Sequence, residues 1–215
     1  MYNGIIFDLD GVICSTDQYH YQAWKRLADE LDIYFDQKIN CRLRGVSRMD
    51  SLNIVLERAD RSFSLEERTA LAEQKNVYYQ ELLAQMSPAD LPSEVCETLA
   101  LLRQRGQKLA IGSSSKNAGI ILSRIGLGDF FDAVSDGNGL SHSKPDPEVF
   151  LKAAAMLKEP PCRCLVVEDA TAGIEAALRG GFKCAGLGDA GKHPSVIYPI
   201  SRFADLLDIV CAERQ

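Results

Sequence analysis

From residue 93 to residue 187, segments with the pattern of helices alternate with short apolar segments that have the pattern of strands. The expected helices cover residues 94–104, 117–125, 147–157 and 171–179, and the expected strands cover 108–112, 131–134, 164–167 and 184–187. Strands that alternate with helices form β-α-β units, in which the strands run parallel. The sequence therefore predicts an α/β fold with a Rossmann-like parallel sheet flanked by helices.

A further apolar segment at residues 4–7 is expected to be a buried strand that joins this sheet. No strand pattern interrupts residues 17–86, where apolar residues recur with helical spacing, as at Trp24, Leu27, Ala28 and Leu31. Two more helices are expected around 50–59 and 65–84, the second with a capping box formed by Ser64 and Glu67. We therefore expect a small all-helical domain at 16–87, inserted into a discontinuous core domain made of 1–15 and 88–215.

Polar residues follow four of the expected strands. Asp8 and Asp10 end the first strand, Ser113-Ser114-Ser115-Lys116-Asn117 follow the second, Lys144 lies in the loop after the third, and Glu168 and Asp169 end the fourth. Active sites of parallel sheets lie beyond the carboxyl ends of the strands. These side chains are therefore expected to lie close together.

The residue types in this set suit phosphoryl transfer. Carboxylates that lie close together repel each other unless a cation or a shared proton intervenes. Asp8, Glu168 and Asp169 could supply the oxygen ligands that Mg²⁺ prefers. Ser113 could bind a phosphoryl oxygen with help from free amides at the start of the next helix, and Lys144 could neutralise developing negative charge. An aspartate nucleophile beside a metal favours a reaction through an aspartyl-phosphate.

Each strand end also has a purely structural interpretation. Asp8 and Asp10 could be solvated acids before a turn at Gly11, Ser113 to Asn117 an ordinary polar loop, Lys144 a solvated loop lysine, and Glu168-Asp169 a helix cap. Such an explanation is adequate for any one of them. Four functional-looking strand ends on one sheet are much harder to explain by chance, and the combination favours a catalytic site.

Composition excludes several classes of partner. The net charge of -6 and the pI near 5.2 argue against nucleic acid, and no apolar run approaches the roughly 20 residues needed to span a membrane. We expect no signal peptide, because Asp8 and Asp10 interrupt the apolar N-terminal stretch. The seven cysteines include no Cys-x-x-Cys pair and are expected to be buried, reduced thiols of a cytoplasmic protein.

These residues resemble the motifs of the haloacid dehalogenase superfamily of phosphotransferases. Asp8-Leu-Asp-Gly-Val is similar to its first motif, Ser113 to its second, Lys144-Pro145 to its third and Glu168-Asp169 to its fourth. The resemblance covers the whole chain in the correct order. It implies that the helical insertion is a small cap domain.

Within the superfamily, the chain resembles the β-phosphoglucomutases. The segments that carry this likeness are His20 with Ala23-Trp24-Lys25, Gly45-Val46-Ser47-Arg48, Asp50-Ser51-Leu52, Lys75-Asn76, Ser87-Pro88-Ala89-Asp90 and Ser115-Lys116-Asn117. The resemblance implies interconversion of β-glucose 1-phosphate and glucose 6-phosphate through a glucose 1,6-bisphosphate intermediate, with Mg²⁺ as cofactor. The implied partner is a small sugar phosphate rather than nucleic acid or a membrane, and we expect a monomer.

The resemblance also implies roles for single residues. The implied catalytic residues are the nucleophile Asp8, the general acid/base Asp10, Thr16 at the cap hinge, His20, which couples substrate binding to the placement of Asp10, and Ser113 with Lys144 on the phosphoryl group. Implied metal ligands are Asp8, the carbonyl of Asp10, Glu168 and Asp169. Implied substrate contacts are Trp24, Arg44, Gly45, Val46, Ser47, Arg48, Lys75, Ser114, Ser115, Lys116 and Asn117.

Some positions depart from the family pattern, and other interpretations stay open. Arg44 stands where relatives commonly have lysine, and Ala170 where they often have serine. Trp24 could instead be a packing residue, Lys75 a solvated lysine on a helix, and His20 a capping or packing residue. A phosphatase that acts on sugar phosphates or other small metabolites is the main alternative. A non-catalytic switch phosphorylated on aspartate is another, although the helical insertion and the Glu168-Asp169 pair count against it.

Overall fold

The computed structural model describes residues 2–43 and 46–212. The chain divides into two compact units, one made of Met1–Ser15 and Ser87–Gln215 and the other of Thr16–Met86. Ser87 was expected in the helical domain, but it belongs with the first unit. Its hydroxyl accepts a hydrogen bond from the amide of Ala89 and thereby caps the short 3-10 helix Pro88–Asp90.

The unit Thr16–Met86 consists of helices throughout its described residues. Their bounds are α1 Asp17–Glu30, α2 Gln37–Cys41, α3 Arg48–Leu56 and α4 Leu65–Leu83. The capping box expected at the start of α4 is present, since Ser64 and Glu67 each accept a backbone amide of the other. The short helix α2 was not predicted, and the side chain of Asp36 caps it.

The core of this helical unit forms from the apolar faces of its helices. Helix α1 packs along α4, and α3 packs on α4 as well. The buried residues include Trp24, Leu27, Ala28, Phe35, Leu52, Val55 and Ala72. The helical spacing seen in the sequence thus marks the buried stripe of α1 correctly.

The other unit contains one six-stranded parallel sheet. Its strands are β1 Gly4–Phe7, β2 Lys108–Gly112, β3 Ala133–Ser135, β4 Cys164–Glu168, β5 Lys183–Leu187 and β6 Tyr198–Ile200, in the order β3-β2-β1-β4-β5-β6. The N-terminal strand therefore lies between β2 and β4, as expected. The short edge strand β6 was not predicted.

Helices cover this sheet. They are α5 Ser93–Gln104, α6 Ala118–Arg124, α7 Glu148–Leu157, α8 Thr171–Arg179 and α9 Leu206–Ala212. Helix α7 packs on β1, β2 and β3, and α8 packs on β4 and β5. Alternate residues of a strand face opposite sides. Ile6 belongs to the cluster with Phe150 of α7, and Phe7 stacks 5.6 Å from Phe203. The predicted α/β sheet flanked by helices is confirmed.

Two expectations about this unit need correction. Strand β3 begins at Ala133 rather than at residue 131, because the Asp132 side chain accepts the amide of Leu109 and the carbonyl of Phe130 accepts a bond from Arg103. The cysteines are all free thiols, but four of them, Cys41, Cys96, Cys162 and Cys211, are exposed rather than buried. Within the described residues, no helix combines the length and apolar character needed to cross a membrane.

Candidate active site

Asp8 lies at the carboxyl end of the central strand. Its amide still donates to the carbonyl of Val167 on β4, at 2.9 Å, so the backbone of Asp8 continues the sheet pairing. A tight turn follows, in which the Gly11 amide donates to the carbonyl of Cys14 at 2.8 Å. Gly11 has a φ of +82°, a left-handed conformation that glycine adopts without strain. Asp8 is thereby held at the carboxyl end of β1, with only 7% of its surface exposed.

Lys144 joins two buried carboxylates. Its Nζ atom donates to Asp8 Oδ1 at 2.5 Å and to Glu168 Oε1 at 2.7 Å, and it lies 4.7 Å from the centre of the Phe150 ring. Burial lowers the pKa of Lys144, but Asp8 and Glu168 outweigh burial and raise it above its usual value. The lysine therefore carries a positive charge between the end of β1 and the end of β4.

Glu168 and Asp169 complete the acidic end of β4. Glu168 Oε2 accepts the amide of Ala170 at 2.7 Å. Burial raises the pKa of Glu168, Lys144 opposes this, and Asp8 adds to it. Burial, followed by the charges of Glu168 and Asp8, raises the pKa of Asp169 to about 7. Asp169 therefore resists ionisation unless a cation lies beside it.

The loop after β2 holds its serines by internal hydrogen bonds. The Ser113 amide donates to the carbonyl of Ser135 on β3 at 3.0 Å, which fixes Ser113 at the end of the sheet. Ser113 Oγ accepts the Ser115 amide at 3.1 Å, and Ser115 Oγ accepts the Asn117 amide at 3.2 Å. The amides of Ser115 and Asn117 are therefore used within the loop, and any free amides at the start of the next helix are not these two.

The same loop packs closely on the segment after β3. The Gly137 amide donates to the Ser115 carbonyl, and Asn138 Nδ2 donates to the Lys116 carbonyl, at 3.1 and 3.0 Å. The side chain of Lys116 is exposed, whereas Ser114 Oγ is buried and has no hydrogen-bond partner among the described residues. The expected phosphate-binding loop is thus held by internal hydrogen bonds, with Lys116 exposed to solvent.

In the helical unit, the sequence-predicted residues His20 and Lys75 lie in contact. His20 Nδ1 is 2.8 Å from Lys75 Nζ, and the His20 ring stacks on Tyr79 with a centroid distance of 4.0 Å. Tyr79 donates its hydroxyl to Thr16 Oγ1 at 2.8 Å. Lys75 is only 3% exposed, and its Nζ atom lies 4.7 Å from the ring centre of Trp24. These five side chains form what we call the histidine cluster.

The charge state of His20 follows from these contacts. Burial, and then the positive charges of Lys75 and Arg48, hold the pKa of His20 well below its ordinary value of 6.5. Neutral imidazole has one protonated nitrogen, and Lys75 is a donor only. Because Nδ1 faces the ammonium group, it is the acceptor, and we assign the ring proton to Nε2.

The other helical-unit candidates lie near the start of α3. Ser47 caps α3 by accepting the Asp50 amide at 3.2 Å, and Val46 is exposed. Arg48 is partly buried and donates from Nη2 to Asn76 Oδ1 at 2.9 Å. Trp24 is 2% exposed within the core of the unit, which supports its alternative assignment as a packing residue. Arg44 and Gly45 lie outside the described residues.

Comparison with known proteins identifies the family. The family model of haloacid dehalogenase-like hydrolases matches residues 2–181. The chain is 42% identical to the β-phosphoglucomutase of Bacillus subtilis over 186 residues, which is 86% of this chain and 82% of that protein. The chain belongs to the haloacid dehalogenase-like hydrolases.

Relatives within the haloacid dehalogenase-like hydrolases differ in their activities. The structure is similar to the crystal structure of β-phosphoglucomutase from Clostridium difficile, with a TM-score of 0.90 and 36% identity over 100% of this chain and 97% of that one. It is also 30% identical to a phosphorylated carbohydrates phosphatase of Thermotoga maritima, over 83% of this chain and 82% of that protein. The resemblance inferred from the motifs is confirmed.

The carboxylates of this haloacid dehalogenase-like site suit a hard cation. Asp8, Glu168 and Asp169 offer only oxygen ligands, which Mg²⁺ prefers. Burial, and then the charges of Glu168 and Asp8, raise the pKa of Asp169, so a cation beside these carboxylates would favour its ionised form. Their oxygens do not form a group of three within 4.8 Å of one another, and the Lys144 ammonium contacts both Asp8 and Glu168. The donor set fits Mg²⁺ in type, and ligation requires the carboxylates to move closer together.

Two residues of these clusters were not singled out from the sequence. Tyr79 carries both a ring contact to His20 and a hydrogen bond to Thr16. It lies four residues after Lys75 on α4, and residues spaced by four share a helix face, so the spacing could have indicated it. Phe150 contacts Lys144 through its ring. Nothing in the sequence indicated this contact, because every apolar residue of α7 is expected to pack on the sheet.

His142 and His193 lie outside the acidic site and contact nearby residues of the chain. His142 Nδ1 lies 3.6 Å from Glu148 Oε2, and His193 Nδ1 accepts the Ser195 amide at 3.2 Å. With Asp146, His142 and Glu148 form a group of three metal-type side chains within 4.8 Å of one another. Glu148 already accepts Lys152 and the amides of Ser141 and His142. The group therefore stabilises the loop that precedes α7.

Proposed function

We propose that this chain is a Mg²⁺-dependent β-phosphoglucomutase that interconverts β-glucose 1-phosphate and glucose 6-phosphate through an aspartyl-phosphate and β-glucose 1,6-bisphosphate. The observation that carries the proposal is the array in which Lys144 bridges Asp8 and Glu168. The array places a carboxylate nucleophile, Asp8, in direct contact with the positive charge of Lys144. The 42% identity to a β-phosphoglucomutase supports the choice of substrate.

In the proposed reaction, a carboxylate oxygen of Asp8 attacks phosphorus, and the bond from phosphorus to the sugar oxygen breaks. Asp10 donates a proton to the departing sugar oxygen. In the reverse half, Asp10 takes the proton from the attacking sugar hydroxyl, and the bond from phosphorus to Asp8 breaks. The phosphoryl group thus moves from one sugar oxygen to another without transfer to water.

The phosphoryl group carries negative charge that several residues neutralise or orient. Lys144 and Ser113 would bind its oxygens, with Ser114 beside them. Asp8, Glu168, Asp169 and the carbonyl of Asp10 would hold Mg²⁺, which supplies positive charge to the transferring group. Because Lys144 already contacts Asp8, the positive charge of the lysine is in place before the substrate binds.

The intermediate bisphosphate needs a second phosphate site. Arg48, Ser115, Lys116 and Asn117 are proposed for it, because an arginine fork binds phosphate through two hydrogen bonds. Trp24, Arg44, Gly45, Val46, Ser47 and Lys75 are proposed to lie near the sugar, and Thr16 and His20 to link the helical unit to Asp10. The proposal includes a cytoplasmic location and a monomeric state.

The deciding experiment is a coupled assay with each anomer of glucose 1-phosphate, with and without glucose 1,6-bisphosphate, while free phosphate is recorded. We expect the β anomer alone to yield glucose 6-phosphate, faster with the bisphosphate, and to release little phosphate. Sustained phosphate release without isomer would instead support a sugar-phosphate phosphatase. The similarity to the Thermotoga maritima phosphatase makes this the second candidate.

A pair of arginine variants separates these two activities. Arg48→Ala is expected to abolish most mutase turnover, because the non-reacting phosphate loses its bidentate partner. Arg42→Ala is the matched control in the same unit, since Arg42 forms an exposed pair with Glu57. A mutase that tolerates Arg48→Ala as well as Arg42→Ala would contradict the second phosphate site.

A further inference from the structure

The carboxylate of Glu168 rests directly on the backbone of Gly173, in the first turn of α8. A Cβ atom placed on Gly173 would lie 1.7 Å from Glu168 Oε1 and 2.0 Å from Glu168 Cδ. Atoms that are not bonded cannot approach so closely. Any side chain at position 173 would therefore force the carboxylate to move.

Backbone conformation does not explain this glycine. The φ of Gly173 lies outside the left-handed range, in contrast to that of Gly11 at +82°. Glycine is also a poorer helix former than alanine, and Gly173 lies within the helix. The close approach of Glu168 is thus what requires glycine at this position.

Glu168 has little room in which to yield. Its side chain is 1% exposed, and each oxygen already has a donor, Lys144 Nζ on Oε1 and the Ala170 amide on Oε2. Lys144 is itself confined by Asp8 and by the Phe150 ring. A displacement of the carboxylate by an added methyl group breaks at least one of these contacts.

We propose that Gly173 is a positioning residue of the acidic site. Its lack of a side chain allows α8 to approach Glu168 and thereby sets the carboxylate between Lys144 and the Ala170 amide. The part of this inference that concerns the metal rests on the proposed function. The part that concerns the packing of Glu168 does not.

The test compares two glycine-to-alanine variants. Gly173→Ala adds a methyl group against Glu168, whereas Gly119→Ala adds one near the start of α6, where no atom lies within 4 Å. Outer-shell changes typically weaken metal binding by about 10- to 100-fold. In calorimetric titration with Mg²⁺ alone, Gly173→Ala is expected to weaken binding by at least about tenfold, and Gly119→Ala to leave it unchanged.

A second measurement tests the packing without reference to metal or activity. The urea midpoint of unfolding is determined for Gly173→Ala in the wild-type background and in a Glu168→Ala background. Alanine at position 168 lacks Cγ, Cδ and Oε1, the three atoms that the added methyl group would meet, so the loss caused by Gly173→Ala should be clearly smaller there. If Gly173→Ala does not fold alone, recovery of folding in the Glu168→Ala background gives the same result.

Several outcomes would overturn the inference. These are equal losses in the two backgrounds, a Glu168→Ala protein that folds by itself but not once Gly173→Ala is added, or unchanged Mg²⁺ affinity in Gly173→Ala. None of these readouts depends on turnover of a sugar. Failure of the mutase assay would therefore leave the inference standing, and its own failure would leave the mutase proposal intact.

Discussion

His20 Nδ1 and Lys75 Nζ lie 2.8 Å apart, so a buried ammonium group faces the acceptor nitrogen of a neutral imidazole. This contact orients the ring, because it leaves the proton on Nε2, and it adds to burial, which is the larger cause of the lowered pKa of His20. The stacked ring of Tyr79 holds the imidazole from one side. Lys75 therefore determines how His20 can act, whatever group His20 contacts.

Replacement of Lys75 by methionine should raise the pKa of His20. Burial lowers this pKa, but Lys75 contributes a repulsive positive charge that the variant lacks. The measurement is an NMR titration of the histidine ring protons, with His142 and His193 as internal references. An unchanged pKa for His20 would show that the charge of Lys75 does not act on it.

Replacement of Lys144 by methionine should destabilise the protein strongly at neutral pH. Loss of one partner from a buried ion pair costs about 3–5 kcal/mol, because the remaining charge has no compensation. The exposed Lys192, which pairs with Asp189, provides the matched control, and Lys192→Met should cost far less stability. Both free energies of unfolding come from urea titrations.

The loss caused by Lys144→Met should shrink at acidic pH. Burial already raises the pKa of Glu168, and without Lys144 this carboxyl group takes up a proton more readily and no longer needs a cation. An equal loss of stability at pH 5 and pH 7 would contradict this account of the array.

The stabilisation by Mg²⁺ should increase with pH. The pKa of Asp169 is raised from 3.8 to about 7, so the metal-free native state keeps a proton that the unfolded chain has lost. The stability contributed by this group is therefore present below pH 3.8 and is lost as pH rises toward 7. Mg²⁺ competes with that proton, and its effect is expected to be larger at pH 8 than at pH 6.

Thermal unfolding with and without Mg²⁺ at these two pH values provides the measurement. Asp169→Asn serves as the control, since an amide does not titrate and the pH dependence of the Mg²⁺ effect should disappear. Identical shifts in Tm at pH 6 and pH 8 for the unaltered protein would rule out Asp169 as the group that competes with the metal.

The hydrogen bond from Tyr79 to Thr16 should contribute about 1 kcal/mol to stability, because it is buried and leaves Thr16 Oγ1 without this donor when removed. Tyr79→Phe tests this by chemical unfolding. Tyr34→Phe removes a comparable bond to Asp36 at an exposed site and should cost much less. Equal costs for the two variants would argue against a structural role for the histidine cluster.

The sequence predicted the sheet well, because the spacing of apolar residues and the composition of each segment indicate which segments can be buried. It also placed Asp8, Lys144 and Glu168 together, since the ends of parallel strands share an edge. It missed α2 and β6, which are five and three residues long and carry almost no periodic signal. It did not predict that serine side chains accept the amides of Ser115 and Asn117, because side-chain bonds within a loop depend on rotamers that no pattern reveals.

The position of β1 in the sheet has a consequence for the order of folding. Gly4 pairs with Lys108 on one side and with Cys164 on the other, whereas the helical unit uses only the contiguous residues Thr16–Met86. Contacts between distant residues form slowly, and chains fold from the N-terminus during synthesis. The helical unit is therefore expected to fold first on the ribosome, while the strand that carries Asp8 waits until most of the polypeptide has been made.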